Sequence, residues 1–177
     1  MQTSAQLPIE TRSLLLRQFV LDDAPAAFVL SNEETSRTWL PSQVYRDHAH
    51  SISMLAFLIA QCVIPGNPRQ GPYVLAIEHR IDGALIGHVG FSPLDDEVEI
   101  GFSIGRNYQR QGLATEAILA ASRWALQAFE LDRIIAVASA MNIASKRTLE
   151  RAGFAYKGDE VRNFQGTEQD VSVYAFS

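Results

Sequence analysis

Cysteine is almost absent from this chain of 177 residues, and several other common signals are missing as well. The single cysteine, Cys62, excludes an internal disulfide and any zinc site built on cysteines. No apolar run approaches the roughly 20 residues that a membrane-spanning helix needs. The opening stretch, MQTSAQLPIETR, lacks the basic and apolar regions of a secretory signal. Together these absences predict a cytoplasmic protein that has no membrane partner.

Basic residues are also in deficit, since 15 lysines and arginines stand against 20 acidic residues, a formal net charge of −5. Non-specific binding of nucleic acid depends on a basic surface, so this balance argues against a nucleic-acid partner. The same balance is compatible with a cationic or amine substrate. Hydrophobic residues make up 47% of the chain and charged residues 20%, which predicts one globular domain over residues 1–177.

The apolar patterns predict a mixed α/β domain around one sheet. Helical spacing and turn signals predict helices at 23–31, 47–62, 112–129 and 143–152. Short apolar runs predict strands at 12–19, 73–78, 84–91, 97–104, 134–139, 154–160 and 170–176. Asp22 is expected to cap the first helix, and Asp82-Gly83 to form a hairpin turn.

One segment matches a catalytic motif that the rest of the chain does not support. Residues 101–105, GFSIG, fit the G-x-S-x-G elbow that presents a nucleophilic serine in α/β-hydrolases. An elbow needs a helix directly after the serine, but residues 106–108 intervene before the helical pattern begins. In that fold the histidine follows the serine, whereas all four histidines here precede Ser103. Ser103 is therefore predicted to be a polar strand residue.

The polar loop that follows the same strand is a better candidate for a functional site. It reads QRQGLA over residues 109–114 and leads into the predicted helix. The first N–H groups of a helix are unpaired and attract phosphate, and Gly112 would let an anion approach the backbone closely. Arg110 would add a charged donor, and Thr115 would either bond a phosphate oxygen or cap its own helix.

Two segments at a characteristic spacing carry a family resemblance. Residues 108–117, YQRQGLATEA, resemble the acetyl-CoA pyrophosphate loop, Q/R-x-x-G-x-G/A, of the GNAT superfamily of acyl-CoA N-acyltransferases. Residues 142–154, NIASKRTLERAGF, are similar to the family's N-x-x-S-x-[RK]-x-L-E-[RK]-x-G-F segment. Further similarity at 10–17, 86–91 and 99–102 points to the subgroup that includes the ribosomal-protein N-terminal acetyltransferases. The resemblance implies a three-layer fold with a mostly antiparallel, twisted sheet of about seven strands and helices on both faces.

The resemblance also implies that acetyl-CoA is the co-substrate and that no metal is needed. The strand before the loop would bind the pantetheine arm through the main chain of Phe102 and Ile104. Asn142 and Ser145 would contact the pantetheine near its sulfur, and Asn142 also suits a helix N-cap. The residues whose amides would cradle the pyrophosphate are Gln109, Arg110, Gln111, Gly112, Leu113, Ala114 and Thr115.

The implied reaction is direct attack of a primary amine on the thioester in a ternary complex. Near pH 7 the acceptor is mostly ammonium, so a base or a water chain must remove a proton. Glu99 matches the subgroup's glutamate and is the candidate base, with Glu97 on the same strand face as the alternative. Many relatives protonate the leaving thiolate with a tyrosine seven residues after the asparagine, but here that residue is Leu149. Ser145 remains as the candidate acid, or as a residue that only positions the sulfur.

The acceptor is the least determined part of the prediction. Trp39 and Tyr45, between the first two predicted helices, are candidates for a wall of the acceptor pocket or for core positions. The acceptor itself is left open among a protein N-terminus, a free amino acid, a polyamine and an aminoglycoside. The absent tyrosine also leaves open a non-catalytic acyl-CoA-binding or regulatory module on the same fold. Many relatives dimerise, so the resemblance allows a homodimer.

Overall fold

One eight-stranded sheet organises the chain in the computed structural model, which describes residues 6–177. The order across the sheet is β1-β2-β3-β4-β5-β6-β8-β7, and only the β5–β6 pair is parallel. The strands are β1 (Ile9–Glu10), β2 (Leu14–Gln18), β3 (Tyr73–His79), β4 (Leu85–Leu94), β5 (Glu97–Ile104), β6 (Ile134–Ser139), β7 (Ala155–Phe164) and β8 (Thr167–Phe176).

Within residues 6–177 five α-helices lie between the strands, and the residue that precedes the first turn explains where three of them begin. Asp47 Oδ1 accepts a hydrogen bond from the His50 N–H at 2.7 Å and starts the third helix. Asn142 caps the fifth helix by accepting from the Ser145 N–H at 3.1 Å. Gly112 precedes the fourth helix in the left-handed region, at φ 80°. The helices are α1 (Ala24–Ser31), α2 (Glu34–Trp39), α3 (His48–Gln61), α4 (Leu113–Ala128) and α5 (Ile143–Arg151).

Alternation along the central strands sends side chains into two cores, one on each face of the sheet. On β3, Leu75 and Ile77 enter the larger core, which α4 and α5 cover. Ala76, between them, enters a smaller core together with Ala27 of α1 and Leu55 of α3. Helices therefore cover both faces of a mostly antiparallel sheet, which confirms the predicted three-layer fold.

Several local predictions were wrong, each for a physical reason. Residues 34–39 form α2 although they carry no apolar periodicity, because Ser36 is buried and its Oγ bonds the Leu30 carbonyl at 2.8 Å. Asp22 does not cap α1, since Asp23 occupies the N-cap position. The Asp23 carboxylate instead binds the Arg17 guanidinium at 2.8 and 2.9 Å.

The closing hairpin is longer than predicted. β7 and β8 pair along ten residues each and are joined by Gln165 and Gly166, with φ angles of 54° and 85°. Two consecutive residues with positive φ form the tight turn that suits a right-twisted hairpin. Residues 160–164 and 167–170 are largely exposed, so they lack the apolar alternation that reveals a half-buried strand. Mutual backbone pairing forms these strands without that signal.

The packing of α4 onto the sheet is expected to dominate stability. Ile118 is fully buried in the larger core, so Ile118→Ala should lower the free energy of unfolding by about 2–5 kcal/mol through lost burial and a residual cavity. Ile81 is 87% exposed, and Ile81→Ala should change it by less than about 0.5 kcal/mol. Urea titration of both variants checks this expectation. Equal midpoints for the two variants would contradict the described packing.

Candidate active site

A cleft opens where β5 and β6 part. The two strands are paired only at Glu99 and Ile135, although β5 is fully paired with β4 on its other side. Residues 100–104 of β5 and 136–139 of β6 line a cavity of about 1060 Å³. The parallel ladder thus stops after one pair, and the facing strand edges become walls of the cleft.

The free edge of β5 presents main-chain groups to this cleft. Gly105 N–H donates to the Ile86 carbonyl at 2.7 Å, which shows that Gly105 and Ile86 are a hydrogen-bonded pair of the antiparallel β4–β5 ladder. Hydrogen-bonded pairs recur every second residue in such a ladder. The backbone groups of Phe102 and Ile104 therefore point away from β4 and towards the cleft. The structure brings both residues to the edge where a main-chain ligand contact was predicted.

The loop after β5 has the shape of an anion site. Arg110 and Gly112 both have positive φ, 61° and 80°, and such turns direct successive backbone N–H groups to one side. Gln109 Nε2 donates to the Ile104 carbonyl at 2.9 Å and ties the loop to the strand. Gly112 gives α4 no side-chain cap, and a Cβ placed on it would meet nothing within 4 Å. The first amides of α4 thus face open space.

All the predicted phosphate-loop residues except Gln111 line the cleft. Gln111 lies outside the cleft lining, and its Nε2 donates to the Asn107 carbonyl at 3.1 Å. Leu113 lines the cleft although its side chain is 95% buried in the larger core, so its backbone is the part available to a ligand. The other predicted loop residues line the cleft: Gln109, Arg110, Gly112, Ala114 and Thr115.

The two candidate bases have different surroundings. Glu99 lines the cleft at the point where the strands part, and burial raises the pKa of its carboxyl to about 7, with the charge of Arg162 acting in the opposite direction. Glu97 is ion-paired with Arg133, which lowers the pKa of the Glu97 carboxyl, and it lies outside the lining. Of the two, only Glu99 reaches the cleft with a pKa in the range of a general base near neutral pH.

The start of α5 forms another part of the lining. Asn142 and Ser145 both lie there, and the Asn142 side chain serves as the N-cap that its sequence position suggested. Leu149 is buried in the larger core, in the place where many relatives carry a tyrosine. Tyr156 is 54% exposed and lies outside the cleft lining. Ser145 is thus a hydroxyl that α5 brings to the cleft.

Trp39 and Tyr45, the candidates for a wall of the acceptor pocket, both line the cleft. Tyr45 also packs against the smaller core, so it is a core residue as well, and its contact with an acceptor stays a prediction. Its backbone is held to the end of α1, because its N–H donates to Ser31 Oγ at 3.1 Å and its carbonyl accepts from Asn32 Nδ2 at 2.9 Å.

Sequence reasoning missed the contribution of the β7–β8 hairpin. Its end supplies Arg162, Asn163, Phe164 and Gln165 to the cleft lining. Ser42 Oγ donates to Gln165 Oε1 at 2.5 Å, so the hairpin tip touches the segment after α2. A Gln-Gly turn was the available signal, but it does not reveal how far the hairpin extends.

His88 is a second residue that the sequence did not single out. It lies on β4 opposite Ser103 and lines the cleft, and burial lowers the pKa of its imidazole to about 4. Among residues 6–177 it has no hydrogen-bond partner. The imidazole is therefore neutral near pH 7. Ser103 lines the same cleft, as a polar strand residue on the His88 side of the sheet.

Within residues 6–177, no group of three or more histidine, cysteine, aspartate or glutamate side chains is arranged to hold a metal ion. None of the helices described has the length and apolar character needed to cross a membrane.

Comparison with known proteins decides the family. Residues 13–155 match the family profile described as the acetyltransferase (GNAT) domain. The chain belongs to the GNAT acetyltransferase family. The family uses acetyl-CoA, and this GNAT protein is an acetyl-CoA-dependent N-acetyltransferase.

Individual relatives agree with this assignment. This GNAT chain is 33% identical over 174 residues to the uncharacterized N-acetyltransferase YoaA of Bacillus subtilis (strain 168), covering 94% of each chain. Its fold is similar to that of a putative ribosomal-protein-serine acetyltransferase from Vibrio cholerae, with a TM-score of 0.79, 20% identity and coverage of 98% and 99%. It is equally similar in fold to the Microcin C7 self immunity acetyltransferase MccE, solved with acetyl-CoA and AMP, with a TM-score of 0.79, 19% identity and 98% coverage of each chain.

The open space at Gly112 gives a test of the loop. Gly112→Glu places a negative side chain where phosphates would approach, so the affinity for acetyl-CoA should fall by about 100-fold or more, roughly 2.7 kcal/mol. Gly83→Glu is a matched control, since Gly83 also has positive φ and open space but lies in the β3–β4 turn, outside the cleft. Calorimetric titration with acetyl-CoA compares them. Equal affinity in the two variants would overturn the assignment of the loop.

The raised pKa of Glu99 predicts a cost in stability. The folded state binds this proton more tightly than the unfolded state, where the pKa is near 4.5. Protonation of Glu99 therefore stabilises the folded state in full below pH 4.5, and this stabilisation is lost as the pH rises through 7. Glu99→Gln should raise the free energy of unfolding at pH 8 by about 1–3 kcal/mol and change it little at pH 4.

Urea titration at the two pH values measures this difference. Glu97→Gln is the control on the same strand, and it should not stabilise at pH 8 because it removes the ion pair with Arg133. A Glu99→Gln protein no more stable than wild type at pH 8 would show that the Glu99 carboxylate is well solvated.

Proposed function

We propose that this protein transfers the acetyl group of acetyl-CoA to a primary amine by direct attack, in a complex that holds both substrates. One observation carries the proposal. Glu99, whose carboxyl has a pKa of about 7, lies at one end of an unpaired strand edge that leads to the uncapped start of α4. Groups that would serve as a proton acceptor, a main-chain binding edge and an anion site thus lie along one cleft, which supports the proposal.

The residues of the cleft fit acetyl-CoA, which supplies the acetyl thioester when it is bound. The amides at the start of α4 would hold the pyrophosphate, because Gly112 leaves the space in front of them open and Arg110 adds positive charge. The backbone of Phe102 and Ile104 would pair with the amides of the pantetheine arm, as an added strand does. Asn142 and Ser145 would lie beside the far end of that arm.

Glu99 would act on the acceptor amine. Near pH 7 the amine is mostly ammonium, and the Glu99 carboxylate would accept its proton, directly or through water. The amine nitrogen then attacks the thioester carbon, so that a C–N bond forms while the C–S bond breaks and the thiolate leaves with its electron pair. The nitrogen gives up a second proton as the amide forms, and this proton balances the charge of the thiolate. Holding the amine and the carbonyl in line supplies much of the rate.

Ser145 would position the sulfur or pass a proton to it. With Leu149 in place of a tyrosine, its hydroxyl is the candidate nearest the expected position of the thiolate. A thiol with a pKa of about 8.5, by analogy with cysteine, leaves with little help. The missing tyrosine is therefore compatible with turnover, and it is also the one observation that favours a non-catalytic acyl-CoA-binding module.

The acceptor would be a primary amine on a small molecule or at a protein N-terminus. The Vibrio cholerae protein of similar fold is described as a putative ribosomal-protein-serine acetyltransferase, which supports an N-terminal amine. The cleft wall formed by Trp39, Tyr45 and the hairpin residue Phe164 would receive the body of the acceptor.

Glu99 is expected to control the pH profile of the reaction. Below pH 7 its carboxyl is protonated and cannot accept a proton, so kcat/KM of the wild type should rise through pH 7 and then level off with respect to this group. Glu99→Gln should lose about 100- to 10,000-fold in kcat at pH 8 and keep only the titration of the acceptor amine. Thiol release from acetyl-CoA, followed from pH 5.5 to 9, measures both.

The matched control is Glu97→Gln, which should stay within about threefold of wild type. A Glu99→Gln enzyme that retained wild-type kcat and pH profile would remove Glu99 as the base. Tight binding of acetyl-CoA without transfer to any amine by the wild type would instead support the non-catalytic module.

A further inference from the structure

The charged side chains that line the cleft are mostly basic, although the chain as a whole is acidic. The chain has a formal net charge of −5, yet within residues 6–177 Glu99 is the only carboxylate that lines the cleft. Four guanidinium groups share that lining: Arg110, Arg147, Arg151 and Arg162. The acidic residues thus lie elsewhere on the protein, and overall acidity does not indicate a cationic acceptor.

Arg162 is separated from the other three arginines by its place in the fold. Arg110 belongs to the loop before α4, and Arg147 and Arg151 belong to α5, the two elements assigned to acetyl-CoA. Arg162 belongs to β7, two residues before Phe164 in the hairpin end that meets Ser42. Its charge is close enough to lower the pKa of the Glu99 carboxyl. Arg162 therefore lies on the acceptor side, near the predicted base.

The guanidinium of Arg162 is ion-paired to Glu160 through Nε, whereas its Nη groups have only a looser partner. Its Nη2 is 3.7 Å from the Asp95 carboxylate, which is 80% exposed. Its Nε is buried and lies 2.5 Å from Glu160 Oε1, without the angles of a hydrogen bond. Arginine carries five N–H donors in a planar fork that matches a carboxylate. Donors of Arg162 thus remain available to a ligand in the cleft.

A polycation fits this wall poorly. A polyamine or an aminoglycoside brings two or more positive charges beyond the reacting amine, and each needs a carboxylate or open water. Glu99 is already needed for the reacting amine, and Arg162 would repel a further cation. The rest of that wall contains apolar and aromatic side chains: Trp39, Leu40, Val44, Tyr45, Met54, Phe57 and Phe164. Its polar side chains include no carboxylate: Ser31, Thr35, Ser36, Ser42, Gln43, His50, Asn163 and Gln165.

We propose that the acceptor is an amine that also carries a carboxylate, and that Arg162 binds this carboxylate while Glu99 takes the proton of the amine. This inference rests on the proposed function. Two sources share this chemistry: a free α-amino acid, whose carboxylate is attached to the carbon that bears the amine, and a peptide N-terminus with an acidic residue beside it. Arg162 is thus a specificity-determining residue. When the acceptor binds, the Arg162 guanidinium exchanges the exposed carboxylates of Asp95 and Glu160 for the carboxylate of the acceptor.

Matched acceptors that differ only in the carboxylate test the proposal. The pairs are phenylalanine with phenylalaninamide, and a Ser-Glu peptide amide with the corresponding Ser-Gln peptide amide; spermidine is the polycation. Thiol release is measured at pH 9, where Glu99 is ionised. We expect the anionic member of one pair to have a kcat/KM at least about tenfold above its neutral partner, and spermidine to be the poorest acceptor. The pair that shows the preference identifies the source.

Three variants distinguish binding of the acceptor by Arg162 from a purely structural role of Arg162 in the hairpin. Arg162→Gln should raise KM for the preferred anionic acceptor by about tenfold or more, with kcat within about threefold, and should abolish the preference over the neutral partner. Arg162→Lys keeps the charge and should retain part of the preference. Glu160→Gln breaks the same ion pair from its other side but leaves Arg162 free, so KM for the anionic acceptor should fall or stay unchanged.

The outcomes distinguish this inference from the proposed function. If acetyl transfer occurs with no preference for the anionic acceptors, or if Glu160→Gln raises KM as Arg162→Gln does, the inference is wrong and Arg162 only supports the hairpin. If spermidine is the best acceptor, the inference is also wrong. If acetyl-CoA binds and no amine is acetylated, the proposed function fails first, and this inference fails with it.

Discussion

The interrupted ladder between β5 and β6 is the constraint on which the candidate site depends. Backbone N–H and C=O groups are costly to leave without partners, so two adjacent strands normally pair along their length. Here β5 is held by eight pairs with β4, and β6 by six pairs with β8. Each strand is thus fixed by its outer neighbour, and the two meet only at Glu99 and Ile135. Pairing on the outer side of each strand thus holds both edges of the gap, and a ligand with its own amide groups can complete the ladder.

The position of Glu99 at this fork links stability to chemistry. The residue stands where paired backbone gives way to the cleft, so its carboxyl loses water and has no hydrogen-bond partner among residues 6–177. Its pKa rises because the charged form is poorly solvated, and the charge of Arg162 limits that rise. A better-solvated carboxylate would make the fold more stable but would be a weaker base near pH 7. The same burial that weakens the fold prepares the group to accept a proton.

Much of the scaffold was predictable because its signals are local. The strands over 97–104 and 134–139 were predicted with the bounds that the structure has, since turns and charged residues flank both apolar runs. The loop before α4 was predictable because a glycine at a strand-to-helix junction has few other uses. The capping role of Asn142 follows from its residue type and from the helical pattern after it.

The contribution of the β7–β8 hairpin to the cleft was not predictable, because it depends on contacts between distant segments. Period-two alternation places Glu97 and Glu99 on one face, and only tertiary structure shows that Glu97 pairs with Arg133 whereas Glu99 is buried in the cleft. Arg162 reaches the cleft through the outer part of a hairpin, where residues 160–164 and 167–170 carry no apolar alternation. Such residues are placed by tertiary structure, so their sequence neighbourhood contains no information about the site.

This division between the two halves of the cleft has a consequence for specificity. The groups proposed for acetyl-CoA belong to the strand edge, the α4 loop and α5, whose geometry is fixed by ladder pairing, capping and the larger core. The residues proposed for the acceptor lie instead on the segment after α2 and on the β7–β8 hairpin, which the Ser42–Gln165 hydrogen bond joins. Neither the segment after α2 nor the turn at 165–166 takes part in the pairs that hold β5 and β6. On the proposed function, both segments would be able to vary in side chain and length while the groups proposed for acetyl-CoA are kept. The charges that these segments contribute would then determine the acceptor, and Arg162 would be the cation that the hairpin adds to the cleft.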